Sequence, residues 1–473
     1  MSWRLEEVVR ATGAEVLRRG AANVFSGVAT DSRALSGGEL FVALRGARYD
    51  AHRFVAEAVA AGAPGVLVEH AVDLGDATYP AVLAVRDTLR ALQDLAVMNR
   101  RRHAPCVIGI TGSNGKTTSK EMLAAIIAAA GGSTTVLKTE VNLNNLIGVP
   151  LTLLRLTGRE RYAVVEMGMN APGEIWRLAE IADPEVGVVT NVGPAHLAGV
   201  GSLAGVARAK GELFARMRPS AIAVANADDP HVAALAEKFP GRVVRFGGDG
   251  EVRAEAVAAG AGCGPAFRLC IDGAKKVGVQ LRVPGRHNVA NALAAAAAAH
   301  AVGIGIEAIG AGLGAAESVG NRMRLVRLAS GVTVLDDSYN ANPASVAAAL
   351  RSLVEAPAGR RIAVLGDMLE LGPASAAQHR DVGRLVADLG IDALHLFGDY
   401  AKDTAAGACG GAAEDPSEPP VRSLSAEAVH VATSHAAIAA ALAGSLAAGD
   451  WVLVKGSRGQ RMEEVVRLLG AAE

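Results

Sequence analysis

The sequence predicts an α/β protein of three domains: an N-terminal domain over residues 1–102, a central doubly wound domain of P-loop type over 103–316, and a Rossmann-like domain over 317–473. Three observations lead there. A chain of 473 residues is long enough for about three ordinary domains. Short apolar runs alternate with stretches of helical period, as parallel strands joined by helices do. After Glu317 the pattern starts afresh, with three strands that each end in a polar, Gly-containing tip.

The centre of the chain is Val107–Thr118, Val-Ile-Gly-Ile-Thr-Gly-Ser-Asn-Gly-Lys-Thr-Thr. Cys106 to Ile110 reads as a buried strand, and a helix is expected from Lys116 to about Ala130. Between them, Gly112, Ser113, Asn114 and Gly115 can bring backbone N–H groups close to phosphate oxygens, and the helix N-terminus adds its positive end. Lys116 would neutralise outer phosphates, Thr117 is placed to ligate magnesium, and Thr118 follows in the first turn. The spacing is a variant, with Ile110 where the first glycine of the usual motif stands and glycines at 109, 112 and 115. An ordinary strand-to-helix turn that happens to contain Gly-Lys-Thr is the competing account.

Composition narrows the classes. Lys+Arg 47 against Asp+Glu 48 leaves a formal charge of -1, so no basic field invites nucleic acid or an anionic membrane, and phosphate binding must be local. Cys106, Cys263, Cys270 and Cys409 form no CxxC pair, which argues against a disulfide framework or zinc site and for a reducing, cytoplasmic setting. Residues 1–20 read as an amphipathic helix, not a signal sequence. Val289–Ala316 has the length of a membrane span, but it is rich in alanine and glycine and interrupted by His300 and Glu307. Two short, closely packed helices suit it better.

In the first domain Leu40–Leu44 and Gly65–Val68 are expected strands, and Arg53–Ala61 and Thr88–Arg101 expected helices. Thr30-Asp31-Ser32-Arg33 and Arg45–His52 are polar clusters that read as turns, and Arg100–Pro105 as a charged linker. In the central domain, strands Tyr162–Val165 and Val186–Thr190 end at Glu166 and Asn191, with His196 just beyond. Ligands gather at the carboxyl ends of parallel strands, so Thr117, Glu166 and His196 would serve magnesium beside a nucleotide. Glu166 equally suits a turn cap, and His196 a satisfied loop histidine. Lys210, between Arg208 and Glu212 on a helix over Leu203–Met217, reads as a solvated surface residue. Asn288 suits an N-cap, whereas Asn291 on the helix face has less structural excuse.

In the third domain, Val332–Leu335 leads into Asp336-Asp337-Ser338-Tyr339-Asn340-Ala341-Asn342-Pro343, with Pro343 suited to a first helical turn. Arg361–Leu365 leads into Gly366-Asp367-Met368-Leu369-Glu370-Leu371-Gly372, and Trp451–Val454 into Lys455-Gly456-Ser457-Arg458-Gly459. Thr404–Pro420 reads as a mobile loop.

These motifs, together with Val-Val-Glu166-Met-Gly-Met-Asn, Asn191-Val-Gly-Pro-Ala-His196-Leu, Ala-Lys210-Gly-Glu, Arg286-His-Asn-Val-Ala-Asn291 and Asn142–Pro150, resemble the Mur ligase family in family order over nearly the whole chain. Within the family, the likeness is fullest to members that add D-alanyl-D-alanine to UDP-N-acetylmuramoyl-tripeptide. The resemblance implies ATP and Mg2+ as cofactors and those two small molecules as substrates. It implies that the substrate carboxylate is activated as an acyl phosphate, and that the protein works as a monomer without nucleic acid or a membrane span. It assigns Asn291 to adenine, Arg322 and Asp337 to phosphate and ribose, and Ser32 and Arg33 to the uridine diphosphate. Asn144, Asn340 and Ser457 become substrate-binding positions. It makes Lys116, Glu166, His196 and Lys210 the catalytic set, with Lys210 carbamylated and ligating magnesium. Two departures stand out: Ala51 for a usual glycine, and Ala198 where an acidic residue is common. A sibling ligase acting on folate or another amino acid is the nearest alternative. A phosphate-loop switch or motor is more remote, since it has no use for the Lys-Gly-Ser and Asp-Asp-Ser-Tyr-Asn loops.

Overall fold

A computed structural model describes residues 2–46, 49–72, 74, 79–195, 197–260, 264–410 and 422–471. His196, Cys263 and most of the expected loop over 404–420 lie outside the described residues, as do the side chains of Leu197 and Ala198. The chain forms two compact units: residues 1–109 with 134–168 and 174–185, and residues 110–133 with 169–173 and 186–473.

The first unit holds a five-stranded sheet in the order Glu15–Arg18, Ala81–Ala84, Gly65–Val68, Leu40–Val42, Val28–Ala29, parallel except at the first pair. One face packs Phe41, Val66, Val68 and Val82 against Val55, Ala58 and Val59 of the helix Val55–Ala60. The expected N-terminal helix is shorter, Leu5–Thr12, because Gly13 takes a left-handed φ of 66° and turns the chain into the strand Glu15–Arg18. The expected linker is also corrected. Arg100–His103 completes the helix Thr88–His103, with Arg100 buried and ion-paired to Asp183 at 3.3 Å and Arg102 paired with Glu7. Polar sequence there signals a helix end whose carbonyls favour cations, not a hinge. Tyr162–Glu166 pairs in parallel with Val136–Lys138 in this unit.

The second unit begins inside the strand Cys106–Thr111. Val186–Val189, Ile222–Asn226, Arg242–Phe246 and Val252–Ala259 run parallel, and Pro265–Ile271 and Lys275–Gln280 continue antiparallel. The alanine-rich segment forms two helices, His287–Ala301 and Ile306–Ala315, the first buried along most of its length. Alanine allows that helix to be covered closely on several sides, which is why its sequence resembles a membrane span without being one. Among the described residues no helix is long and apolar enough to cross a membrane.

The C-terminal sheet runs Arg324–Arg327, Thr333–Asp337, Trp451–Lys455, Arg361–Gly366, Ala393–Phe397, Val429–Val431, parallel after the first pair. Its core packs Val334, Val364, Val452 and Val454 against Ile438, Leu442, Val465 and Leu469. The expected loop is helical over Ala401–Cys409: Thr404, Gly407 and Ala408 are buried, and Gly383 admits the backbone of Thr404 and Gly407 where a Cβ would collide. Small residues here mark close helix packing instead of mobility.

His395 is buried in this sheet and stacks on His430, with ring centroids 4.7 Å apart. Burial, then the neighbouring imidazole, pushes its pKa from 6.5 to about 4. The unfolded chain therefore takes up this proton first as pH falls. The contribution is complete above 6.5 and is lost towards 4, up to about 3 kcal/mol. Urea midpoints are expected to fall between pH 7 and 5, and to fall less in His395→Leu. Equal pH slopes for the two proteins would refute this source.

Candidate active site

The phosphate loop is built as its residue types require. Gly112 and Gly115 have φ of 153° and 81°, and an added Cβ would strike the Thr190 hydroxyl at the first and the Asn291 amide oxygen at the second. Ser113 exchanges hydrogen bonds with Gly193 through its hydroxyl, at 2.9 and 2.8 Å. Asn114 N–H donates to Asn191 Oδ1 at 2.9 Å, and its carbonyl accepts from Thr190 Oγ1 at 2.6 Å and Asn191 Nδ2 at 3.1 Å. The tip of the strand Val186–Val189 thus holds the loop's shape. The helix Lys116–Gly131 starts directly at the loop, with Thr117 buried and Thr118 half-buried in its first turn. Lys116 Nζ lies over the loop, donating to the carbonyls of Gly112 at 2.6 Å and Ser113 at 3.2 Å.

Lys210 overturns the surface-residue alternative. It lies on the helix Leu203–Arg216 with only 2% of its surface exposed. Gly205 and Gly211 on the same helix admit the Val200 carbonyl and the Leu235 side chain where a Cβ would clash, so the helix sits deep. Burial foremost, and then the charge of Lys116, drives the Lys210 pKa well below the usual lysine value. Both effects disfavour the ammonium and favour the neutral, nucleophilic amine.

Asn288 is corrected too: Arg286 occupies the cap position, and Asn288 is buried inside the helix, donating to the Pro284 carbonyl at 2.6 Å. It also accepts from Asn291 Nδ2 at 2.8 Å, which aims the Asn291 amide oxygen at Gly115. Asn291 is therefore part of the loop's surroundings.

The polar tips of the C-terminal sheet form one network. Asp337 accepts from Met323 N–H at 3.1 Å and from the buried Lys455 ammonium at 2.5 Å; Lys455 also donates to the Asn340 carbonyl at 2.9 Å. Ser457 Oγ accepts from Leu369 N–H at 2.8 Å and donates to the Ala341 carbonyl at 3.2 Å, so this buried serine joins the three tips. Asn340 is exposed, and Arg322 lies over the Tyr339 ring at 3.9 Å. Burial lowers the pKa of His287, opposed by Asp337 and reinforced by Lys455. Sequence reasoning passed over Asn342. It caps the helix Pro343–Val354 through Ser345 N–H, and its Nδ2 donates to Asn114 Oδ1 at 2.8 Å, so the third domain touches the phosphate loop. Its place before Pro343 marked the cap, but nothing local marked the contact.

In the first unit, Glu166 is buried at the end of its strand, its Oε1 accepting from Asn144 Nδ2 at 2.9 Å and its N–H donating to Thr139 Oγ1 at 2.9 Å. Its carboxyl group is thus buried and oriented by an amide donor, a setting in which its oxygens could serve a hard cation. Arg33 is exposed and pairs with Asp31 at 2.7 Å, while Ser32 donates to Glu57 at 3.3 Å; both sit on a short helix capped by Asp31. Asp50 accepts from His52 N–H at 3.0 Å and contacts its Nδ1 at 2.6 Å, and His52 Nε2 accepts from Glu69 N–H at 2.9 Å. That histidine fixes a turn, as the polar cluster suggested. Burial pushes the Cys106 thiol up to about 11, which leaves it no thiolate character.

The Mur ligase family catalytic domain matches residues 24–100, the Mur ligase middle domain 110–299, and the Mur ligase glutamate ligase domain 321–458. The UDP-N-acetylmuramoyl-tripeptide--D-alanyl-D-alanine ligase of Escherichia coli is 40% identical over 456 residues, 95% of each chain. That of Mycobacterium tuberculosis is 38% identical, covering 99% of this chain and 97% of the relative. The crystal structure of MurF from Acinetobacter baumannii superposes with a TM-score of 0.89 at 33% identity, over 100% of this chain and 99% of that one. MurF from Thermotoga maritima in complex with ADP gives 0.79 at 27%, over 96% and 97%.

Proposed function

The chain belongs to the Mur ligase family, and from that premise we propose that it is the ATP-dependent ligase that adds D-alanyl-D-alanine to UDP-N-acetylmuramoyl-tripeptide in peptidoglycan precursor synthesis. The observation that carries this reading is identity of 40% spread over 95% of both chains, with every assigned site residue inside the matched family domains 24–100, 110–299 and 321–458. The three domains are assigned to residues 1–102, 103–316 and 317–473, binding the uridine nucleotide through Ser32 and Arg33, ATP, and the remaining substrate groups respectively.

The tripeptide's terminal carboxylate attacks the γ-phosphorus of ATP and ADP leaves. The dipeptide amine then attacks the acyl carbon, phosphate departs, and the nitrogen loses a proton. Such chemistry asks the protein for orientation and for charge placed where phosphoryl oxygens become more negative. The amides of Gly112–Thr118 and the Lys116 ammonium supply both for the phosphates. Asn291 faces the adenine, and Arg322 and Asp337 take phosphate and ribose. Asn144, Asn340 and Ser457 orient the substrates.

Thr117, Glu166, His196 and Lys210 are the proposed ligands of Mg2+. The buried Thr117 hydroxyl and Glu166 carboxylate suit a hard cation, and the buried Lys210, whose surroundings disfavour the ammonium, suits one after conversion to a carbamate. Magnesium would neutralise charge on the phosphates and the activated carboxylate. The Lys210 amine attacks CO2, a C–N bond forms, one proton leaves, and an anionic carbamate replaces the amine. Action in the cytoplasm as a monomer completes the proposal.

ADP release should require the tripeptide and D-alanyl-D-alanine together, and should stay low with glutamate or diaminopimelate as the amine. Equal turnover with those amines would favour a sibling ligase, and turnover with ATP alone a phosphate-loop switch.

A further inference from the structure

One ring in the C-terminal network carries two guanidinium groups. Arg322 lies 3.9 Å and Arg458 5.3 Å from the Tyr339 centroid. Tyr339 is itself fixed, its N–H donating to the Asn321 carbonyl at 3.0 Å. Among the described residues the Arg322 side chain has no hydrogen-bonded or ionic partner, and Arg458 reaches only Glu463, at 3.7 Å, with 62% of its side chain exposed. The Arg458 backbone is steadied by its N–H donating to Asn340 Oδ1 at 3.4 Å. Two like charges on one ring repel each other; the ring attracts each, Arg322 has no carboxylate partner among the described residues, and Arg458 has only the distant Glu463, without the paired fork geometry an arginine matches best. The pair is arranged for anions that arrive from outside.

The anions of the reaction can be matched to the cations available. Lys455 is committed to Asp337, and Lys116 lies on the phosphate loop. Arg322 is proposed for the phosphates of ATP. Arg458, on the loop after the strand Trp451–Lys455 and open to solvent, remains for the one anionic group of the amine substrate, its own carboxylate. Resting on the ligase reading, we propose that Arg458 binds the C-terminal carboxylate of the incoming dipeptide, with Tyr339 as the positioning residue that holds the guanidinium in place. The dipeptide is then selected at the end away from its reacting amine.

The test compares D-alanyl-D-alanine with its C-terminal amide as acceptor, at saturating ATP and tripeptide, in the wild-type protein and Arg458→Ala. The wild type is expected to favour the acid over the amide in kcat/KM by roughly 10- to 100-fold, the worth of a charge-assisted pair. Arg458→Ala should lose that preference through a higher KM for the acid, with the amide and the KM for ATP little changed. Tyr339→Phe should keep the preference and Tyr339→Ala should reduce it. An undiminished preference in Arg458→Ala overturns the assignment, as does a raised KM for ATP in place of the dipeptide, which would make Arg458 a phosphate ligand. A wild-type protein that uses neither acceptor removes the ligase reading and this assignment together, whereas the other failures leave the ligase reading standing.

Discussion

Lys210→Ala is expected to lower ligation by about 10²- to 10³-fold, and added formate or acetate to restore part of it. The argument starts from burial. Burial to 2% of its surface, and then the charge of Lys116, lowers the Lys210 pKa and favours the amine form that CO2 captures. As a carbamate it supplies two oxygens and a negative charge in a place where an ammonium would repel magnesium. Alanine removes the ligand but leaves room for a small carboxylate, so rescue separates a ligand role from a packing role. Rates should be measured at mildly alkaline pH, since carbamates revert in acid. Full activity in Lys210→Ala would sink the assignment, and loss without rescue would sink the carbamate.

Lys116→Ala should reduce turnover by about 10³-fold while the fold persists. The side chain is half-buried and its ammonium sits on loop carbonyls instead of in the apolar core, so its removal leaves no large cavity. Circular dichroism and the urea midpoint should stay close to wild type as ADP release falls. A variant with wild-type turnover would show that the loop binds phosphate through backbone amides alone.

The elements that could be read from the sequence are those specified locally. The strand Cys106–Thr111, the glycine turn and the helix from Lys116 were legible because apolar runs, positive-φ glycines and a helix start are short-range signals. Pro343 announced the first turn of the helix Pro343–Val354 for the same reason. What was not legible depends on tertiary approach. Lys210 has the flanks of a surface lysine, and its burial follows from tertiary packing such as the close approaches at Gly205 and Gly211 of its helix. The contact of Asn342 with Asn114 joins residues 228 apart in sequence, beyond any periodicity. Arg100 and Thr404 misled in the same way, since polar or small residues suggest loops until their packing partners are known.

The resting position of Lys116 has a consequence for saturation behaviour. Its ammonium is already satisfied by the carbonyls of Gly112 and Ser113, so in the proposed phosphate role of Lys116 the loop carbonyls act as intramolecular competitors for the lysine. A nucleotide must displace that self-contact, and its apparent affinity is scaled down by the fraction of molecules in which the lysine has swung clear. The cost of breaking that contact is common to the bound ground state and the transition state, so it raises the KM for nucleotide and leaves kcat unchanged. The loop thereby keeps the enzyme responsive to changes in nucleotide concentration instead of permanently occupied.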